Sequence, residues 1–149
     1  MCIGVITIIS GWEMRGPRYK GFASGGSKGL FAFAIGPEPG RLAVCESAID
    51  ALSLAAIEGC DRATAYLSTG GGWGDAGGEE LMSLLAPNTA LIAAVDNGIG
   101  GDLLAGRLAK LAAIAAVTFD RLRPGTKDWN QQLSEMCPTP VGGPPSRGI

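Results

Sequence analysis

LAVCESAIDAL at 42–52 and LIAAVDNGIGGD at 91–102 are the two stretches whose reading decides the fold. Each is an apolar run that stops at a carboxylate, Glu46 or Asp96, and then opens a helix pattern. An unbroken apolar run suits a strand buried on both faces, as in a parallel sheet covered by helices. In such a sheet the carboxyl ends of the strands gather at one rim, and ligands bind there. Glu46 and Asp96, fifty residues apart, are therefore expected to meet in space.

The pattern continues outward from these stretches. RLAVC (41–45), TAYLS (64–68), ALIAAV (90–95) and AVTFDRL (116–122) read as buried strands. Between them, SAIDALSLAAIEG (47–59), EELMSLLA (79–86) and DLLAGRLAKLAAIAA (102–116) read as helices, stopped by Gly59 and Pro87 in the first two cases. DWNQQLSEM (128–136) is a last short helix. The β-α alternation predicts an α/β fold with a compact parallel sheet of about four strands flanked by helices. Upstream, IGVITII (3–9) reads as a strand, and 12–35 as short strands joined by glycine-rich turns. The expected organisation is an antiparallel β arm over 1–36, the linker GPEPG (36–40), an α/β domain over 41–136 and a disordered tail over 137–149.

Composition narrows the chemistry. The chain has 149 residues, 46% hydrophobic and 17% charged, which suits a folded domain. A net charge of −2 gives no whole-molecule attraction to nucleic acid, so any such binding must come from a local patch. The absence of histidine removes Ser-His triads, His general acid–base catalysis and His-ligated zinc. Cys2, Cys45, Cys60 and Cys137 are scattered without a CxxC pair, which argues against structural zinc or a redox motif. The opening MCIGVITIIS is apolar but short for a bilayer span. A cytoplasmic setting without a membrane partner is the expectation.

The candidate residues each carry two readings. Glu46 can ligate Mg²⁺ or act as a general acid or base on a phosphodiester; it can equally be a solvated acid at a strand end. Asp50 supports the same site one turn on, or completes a capping box begun by Ser47. Asp96 is the second strand-end acid. Asn97 offers a carbonyl, and Asp102 either joins the site or favours the positive end of its helix. Thr69, Gly70 and Gly71 form a turn whose N–H groups can approach a phosphate, or a plain solvent loop. Gly72-Trp-Gly-Asp-Ala-Gly77 matches a dinucleotide fingerprint between a strand and a helix, which leaves a nucleotide- or dinucleotide-binding domain as an alternative. Lys127 faces phosphate or solvent, and Asp128 with Gln131 reads as a helix cap. In the arm, Arg15, Arg18, Lys20 and Lys28 alternate with Tyr19 and Phe22, following Trp12. That mixture suits a nucleic-acid strand or an ordinary hairpin face.

Taken together, VCESAIDALSL (44–54), YLSTGGG (66–72), AAVDNGIGGDLLAGRL (93–108) and RPGTKDWNQQL (123–133) resemble, in order, the motifs of a Toprim domain. This is the metal-dependent module shared by bacterial primases, topoisomerases and some nucleases. The segment GWEMRGPRYKGFASGGSKGLF (11–31) resembles the lead-in of Toprim-like proteins of plasmids and mobile elements. The resemblance implies primase-like or strand-processing chemistry on nucleic acid, DNA rather than RNA. It implies Mg²⁺, or Mn²⁺ in its place, and an upstream domain or a helicase- or relaxase-type partner. Glu46 matches the family's glutamate, and Asp96 the first acid of its Asp-x-Asp pair. The second acid falls at position 98, where this chain has Gly98. That departure also implies the alternative of a degenerate, non-catalytic module that binds DNA or a partner.

Overall fold

The computed structural model describes residues 13–16, 19–22, 29–70 and 75–137. The expected strand at 3–9 and the tail over 138–149 lie outside the described residues. β1 (Glu13–Gly16) and β2 (Tyr19–Phe22) pair as an antiparallel hairpin, apart from the main sheet.

The main sheet contains β3 (Phe31–Ala34), β4 (Arg41–Cys45), β5 (Thr64–Ser68), β6 (Ala90–Ala93) and β7 (Thr118–Arg121). Their spatial order is β3-β5-β4-β6-β7. The last four in chain order are mutually parallel, and β3 runs antiparallel to β5 at one edge. The sequence of β3 reads as continuous with the arm, yet its partner is β5. Phe33 stacks on Tyr66 with ring centroids 5.4 Å apart. The strand also covers ladder groups that β5 would otherwise leave open.

Helices α1 (Ala48–Ile57), α2 (Asp75–Leu84), α3 (Ile99–Ala115) and α4 (Trp129–Met136) cover the sheet. Successive strand residues point to opposite faces, so each apolar run feeds two cores. Leu42, Val44, Leu67, Leu91 and Ala93 pack with Leu81 of α2 and Leu108 and Ala112 of α3. Ala43, Cys45, Tyr66, Ile92 and Ala94 pack with Leu54 of α1 and Trp129 of α4. Burial on both faces explains why these strands tolerate no polar alternation.

Two helices begin earlier than their sequences suggest. α2 opens at Asp75 and takes in Gly77 and Gly78; α3 opens at Ile99 and takes in Gly100 and Gly101. Glycine disfavours a helix interior by about 1 kcal/mol, which hides these first turns from a propensity reading. Among the described residues, no helix is long and apolar enough to cross a membrane.

Candidate functional site

The four parallel strands lie in the spatial order β5-β4-β6-β7. The chain winds from β4 to β5 on one side and then crosses to β6 on the other. The winding therefore reverses between β4 and β6, so the carboxyl ends of those two strands form the switch point, the position of the crevice in an open α/β sheet. Glu46 follows β4 directly. The pairing of Val44 with Ala93, continued by the bond from Ala94 N–H to Val44 O at 2.9 Å, carries Asp96 to the same rim.

The first turn of α3 closes the crevice. A Cβ on Gly101 would stand 2.0 Å from the Asp96 carbonyl oxygen and 3.2 Å from Glu46 Oε1. Only glycine lets the helix pass so close to both acids. Glu46 Oε1 and Asp96 Oδ1 are buried and have no hydrogen-bond partner among the described residues. Desolvation, then the negative charges of Asp50, Glu46 and Asp128, push the Asp96 carboxyl up to about 7, while Lys127 acts in the opposite direction. Buried polar atoms are normally paired, so two orphaned carboxylate oxygens at a switch point are an observation that asks for a cation.

The other sequence candidates divide. Asp50 is buried and spent on structure. Its N–H donates to the Ser47 hydroxyl oxygen at 3.2 Å, the Ser47 hydroxyl donates to Oδ2, and Asn130 N–H donates to Oδ1 at 3.3 Å. It therefore ties the first turns of α1 and α4 together and reaches Asp96 only through its charge. Asn97 pins the 124–127 loop: its Nδ2 donates to the carbonyls of Pro124 at 2.9 Å and Thr126 at 2.6 Å, and its N–H donates to Lys127 O at 3.1 Å. Asp102 faces arginines, accepting from Arg123 at 2.9 Å and Arg121 at 3.4 Å. Asp128 caps α4, accepting from Gln131 N–H at 2.7 Å. Lys127 is exposed beside the rim.

Thr69 is buried at the end of β5, with its N–H bonded to Cys45 O at 3.2 Å, and Gly70 adopts φ +63°. Gly71 lies outside the described residues, as do Gly72, Trp73 and Gly74 of the glycine-rich fingerprint. Arg18 and Lys28 also lie outside them; Arg15 and Lys20 sit on β1 and β2.

Sequence reasoning passed over Arg121 and Arg123. Arg121 ends β7 and Arg123 follows two residues on, and their alternation in RLRPG was the available signal. Arg121 donates to Gly101 O at 3.0 Å and Asp96 O at 3.1 Å, holding the Asp96–Gly101 loop. Ser68 was also passed over; it is fully buried with an unpartnered Oγ. Among the described residues, no three His, Cys, Asp or Glu side chains gather as a metal cluster.

The α4 end of the rim is set by Trp129, whose indole N–H donates to Ala94 O at 2.8 Å. The Toprim-like family profile matches residues 43–133, from inside β4 to inside α4. The chain belongs to the Toprim-like family. Comparison with curated proteins and with solved structures gives no match. A Toprim domain is a module of nucleic-acid metabolism, and the switch-point crevice is where this Toprim-like domain presents its two unpaired acids.

Proposed function

We propose that this Toprim-like chain binds nucleic acid, DNA rather than RNA, and makes or breaks phosphodiester bonds with the help of one divalent cation. Glu46 and Asp96 would hold the cation, Mg²⁺ with Mn²⁺ as its substitute. The observation that carries the reading is the pair of buried, unpartnered oxygens, Glu46 Oε1 and Asp96 Oδ1, on neighbouring strand ends. Mg²⁺ commonly uses one or two carboxylates and completes its shell with water and substrate phosphate, so a two-acid site fits. When bound, the cation supplies Lewis-acid neutralisation of phosphate charge. Glu46, beside the crevice, moves the proton of the attacking or leaving hydroxyl. Gly101 and Arg121 keep the Asp96 loop against α3 so that the two acids stay in register.

A second reading, nucleic-acid binding without catalysis, is favoured by Gly98, which supplies no carboxylate where the family's second acid falls. Melting the protein with Mg²⁺, Mn²⁺ or NAD separates the metal reading from a dinucleotide reading. Stabilisation by either metal, lost in Glu46→Gln, is expected; stabilisation by NAD alone would sink the proposal. Nicking and primer-synthesis assays on wild type and Glu46→Gln then decide between catalysis and binding.

A further inference from the structure

Two arginines stand at the β7 side of the crevice, and one carboxylate serves both. Asp102 Oδ1 accepts from Arg121 Nη2 at 3.4 Å and from Arg123 Nη2 at 2.9 Å. The Glu46 and Asp96 carboxylates also act on Arg121, which leaves Arg123 the less compensated of the two. Burial, and then the neighbouring Arg123, hold the Arg121 guanidinium below its ordinary pKa, against Asp102, Glu46 and Asp96, which act in the opposite direction.

The two arginines are not equivalent. Arg121 is largely buried and fixed by the carbonyls of Asp96 and Gly101, three oxygens in all with Asp102. It is a tethered cation inside an oxygen cradle formed by the loop that contains Gly98. Arg123 is half-exposed, with 52% of its side-chain surface open. Among the described residues, its further contact beyond Asp102 is a 3.5 Å one to Asn97 Oδ1. Its guanidinium can therefore exchange Asp102 for an incoming anion, whereas that of Arg121 cannot without releasing the loop.

We propose that Arg123, backed by Arg121 and restrained by Asp102, is a phosphate-binding arginine at the β7 edge of the site. The inference rests on the nucleic-acid reading above and adds the residue that would grip the strand beside the Glu46–Asp96 pair. A guanidinium matches phosphate through paired N–H donors, and an anion relieves the repulsion between the two arginines. Asp102 then acts as an internal competitor for the phosphate.

The test is binding of a fluorescent single-stranded oligonucleotide to the full chain in EDTA, so that the readout does not depend on a divalent cation. Arg123→Gln is expected to weaken binding about fivefold, the scale of an exposed charge pair, and to lower the salt slope by about one. Asp102→Asn is expected to tighten binding. Arg107→Gln, on the exposed face of α3, is expected to change neither. Circular-dichroism melts of each variant separate binding from folding. A nucleoside triphosphate probe distinguishes sources: loss with the oligonucleotide assigns the phosphate to a strand, and loss with the triphosphate alone assigns it to a nucleotide. Wild-type affinity in folded Arg123→Gln for both probes, weaker binding in folded Asp102→Asn, or no binding of either probe by wild type would overturn the inference. Metal-dependent melting sensitive to Glu46→Gln is read separately, so failure of the metal centre and failure of the arginine site are distinguishable.

Discussion

Gly98 is more than a missing acid. Its φ of +126° and ψ of 179° lie in a region that L side chains rarely enter, and it is the residue from which α3 starts. A Cβ there would meet nothing within 4 Å, so space is not the obstacle; backbone geometry is. Simple restoration of the Asp-x-Asp pattern is therefore a strained substitution. Gly98→Asp is expected to lower stability by about 1–3 kcal/mol, measured by urea denaturation, and Gly98→Ala to fall in the same range. Equal losses in the two variants locate the cost in φ. A stable Gly98→Asp chain would show that the loop can adopt the geometry of an acid-bearing form. Gly101 is constrained differently: its φ is not the difficulty, but its Cβ would collide with the Asp96 carbonyl. The residue pattern alone cannot separate these two uses of glycine.

At the scale of elements, the best-marked boundaries were those with a chemical signature. Ser47 and Asp128 cap α1 and α4 through their side chains, where the sequence placed them. β4 and β5 match their apolar runs because both faces are buried. The starts of α2 and α3 were obscured by glycines, and the partner of β3 was invisible because periodicity names a strand's faces but not its neighbour. The site divided in the same way. Glu46 and Asp96 were legible as strand-end acids; the roles of Asp50, Asn97 and Asp102 depended on partners distant in sequence. Asp50 shows the consequence. Removing a buried carboxylate that serves both α1 and α4 leaves Asn130 N–H and the Ser47 hydroxyl without their acceptor. Asp50→Ala is expected to cost about 1–3 kcal/mol in chemical denaturation. A neutral result would move Asp50 from the structural tie to the acidic centre.

Across the whole molecule, the sheet's two cores position a crevice whose charges work against folding. Desolvation and three neighbouring acids raise the Asp96 carboxyl from 3.8 to about 7. Between those values the folded chain keeps a proton that the unfolded chain releases, so stability falls as pH rises through the window. Above about 7 the folded state carries the full cost of the ionised, partly buried carboxylate. Asp96→Asn removes that cost without removing volume. In EDTA the variant is expected to melt higher than wild type at pH 8, and the gap is expected to shrink as pH falls to 5, where wild-type Asp96 is already protonated. A gap independent of pH would assign the effect to packing rather than to charge. Mn²⁺ adds the opposite arm. A cation that binds the folded chain stabilises it by mass action, and it must displace the Asp96 proton to do so. Mn²⁺ should therefore raise the wild-type melting temperature at pH 8, raise it less at pH 6, and leave Asp96→Asn nearly unmoved, closing the gap from the wild-type side. A wild-type chain that Mn²⁺ stabilises and that low pH relieves would mark the Glu46–Asp96 pair as a site kept for binding rather than for folding.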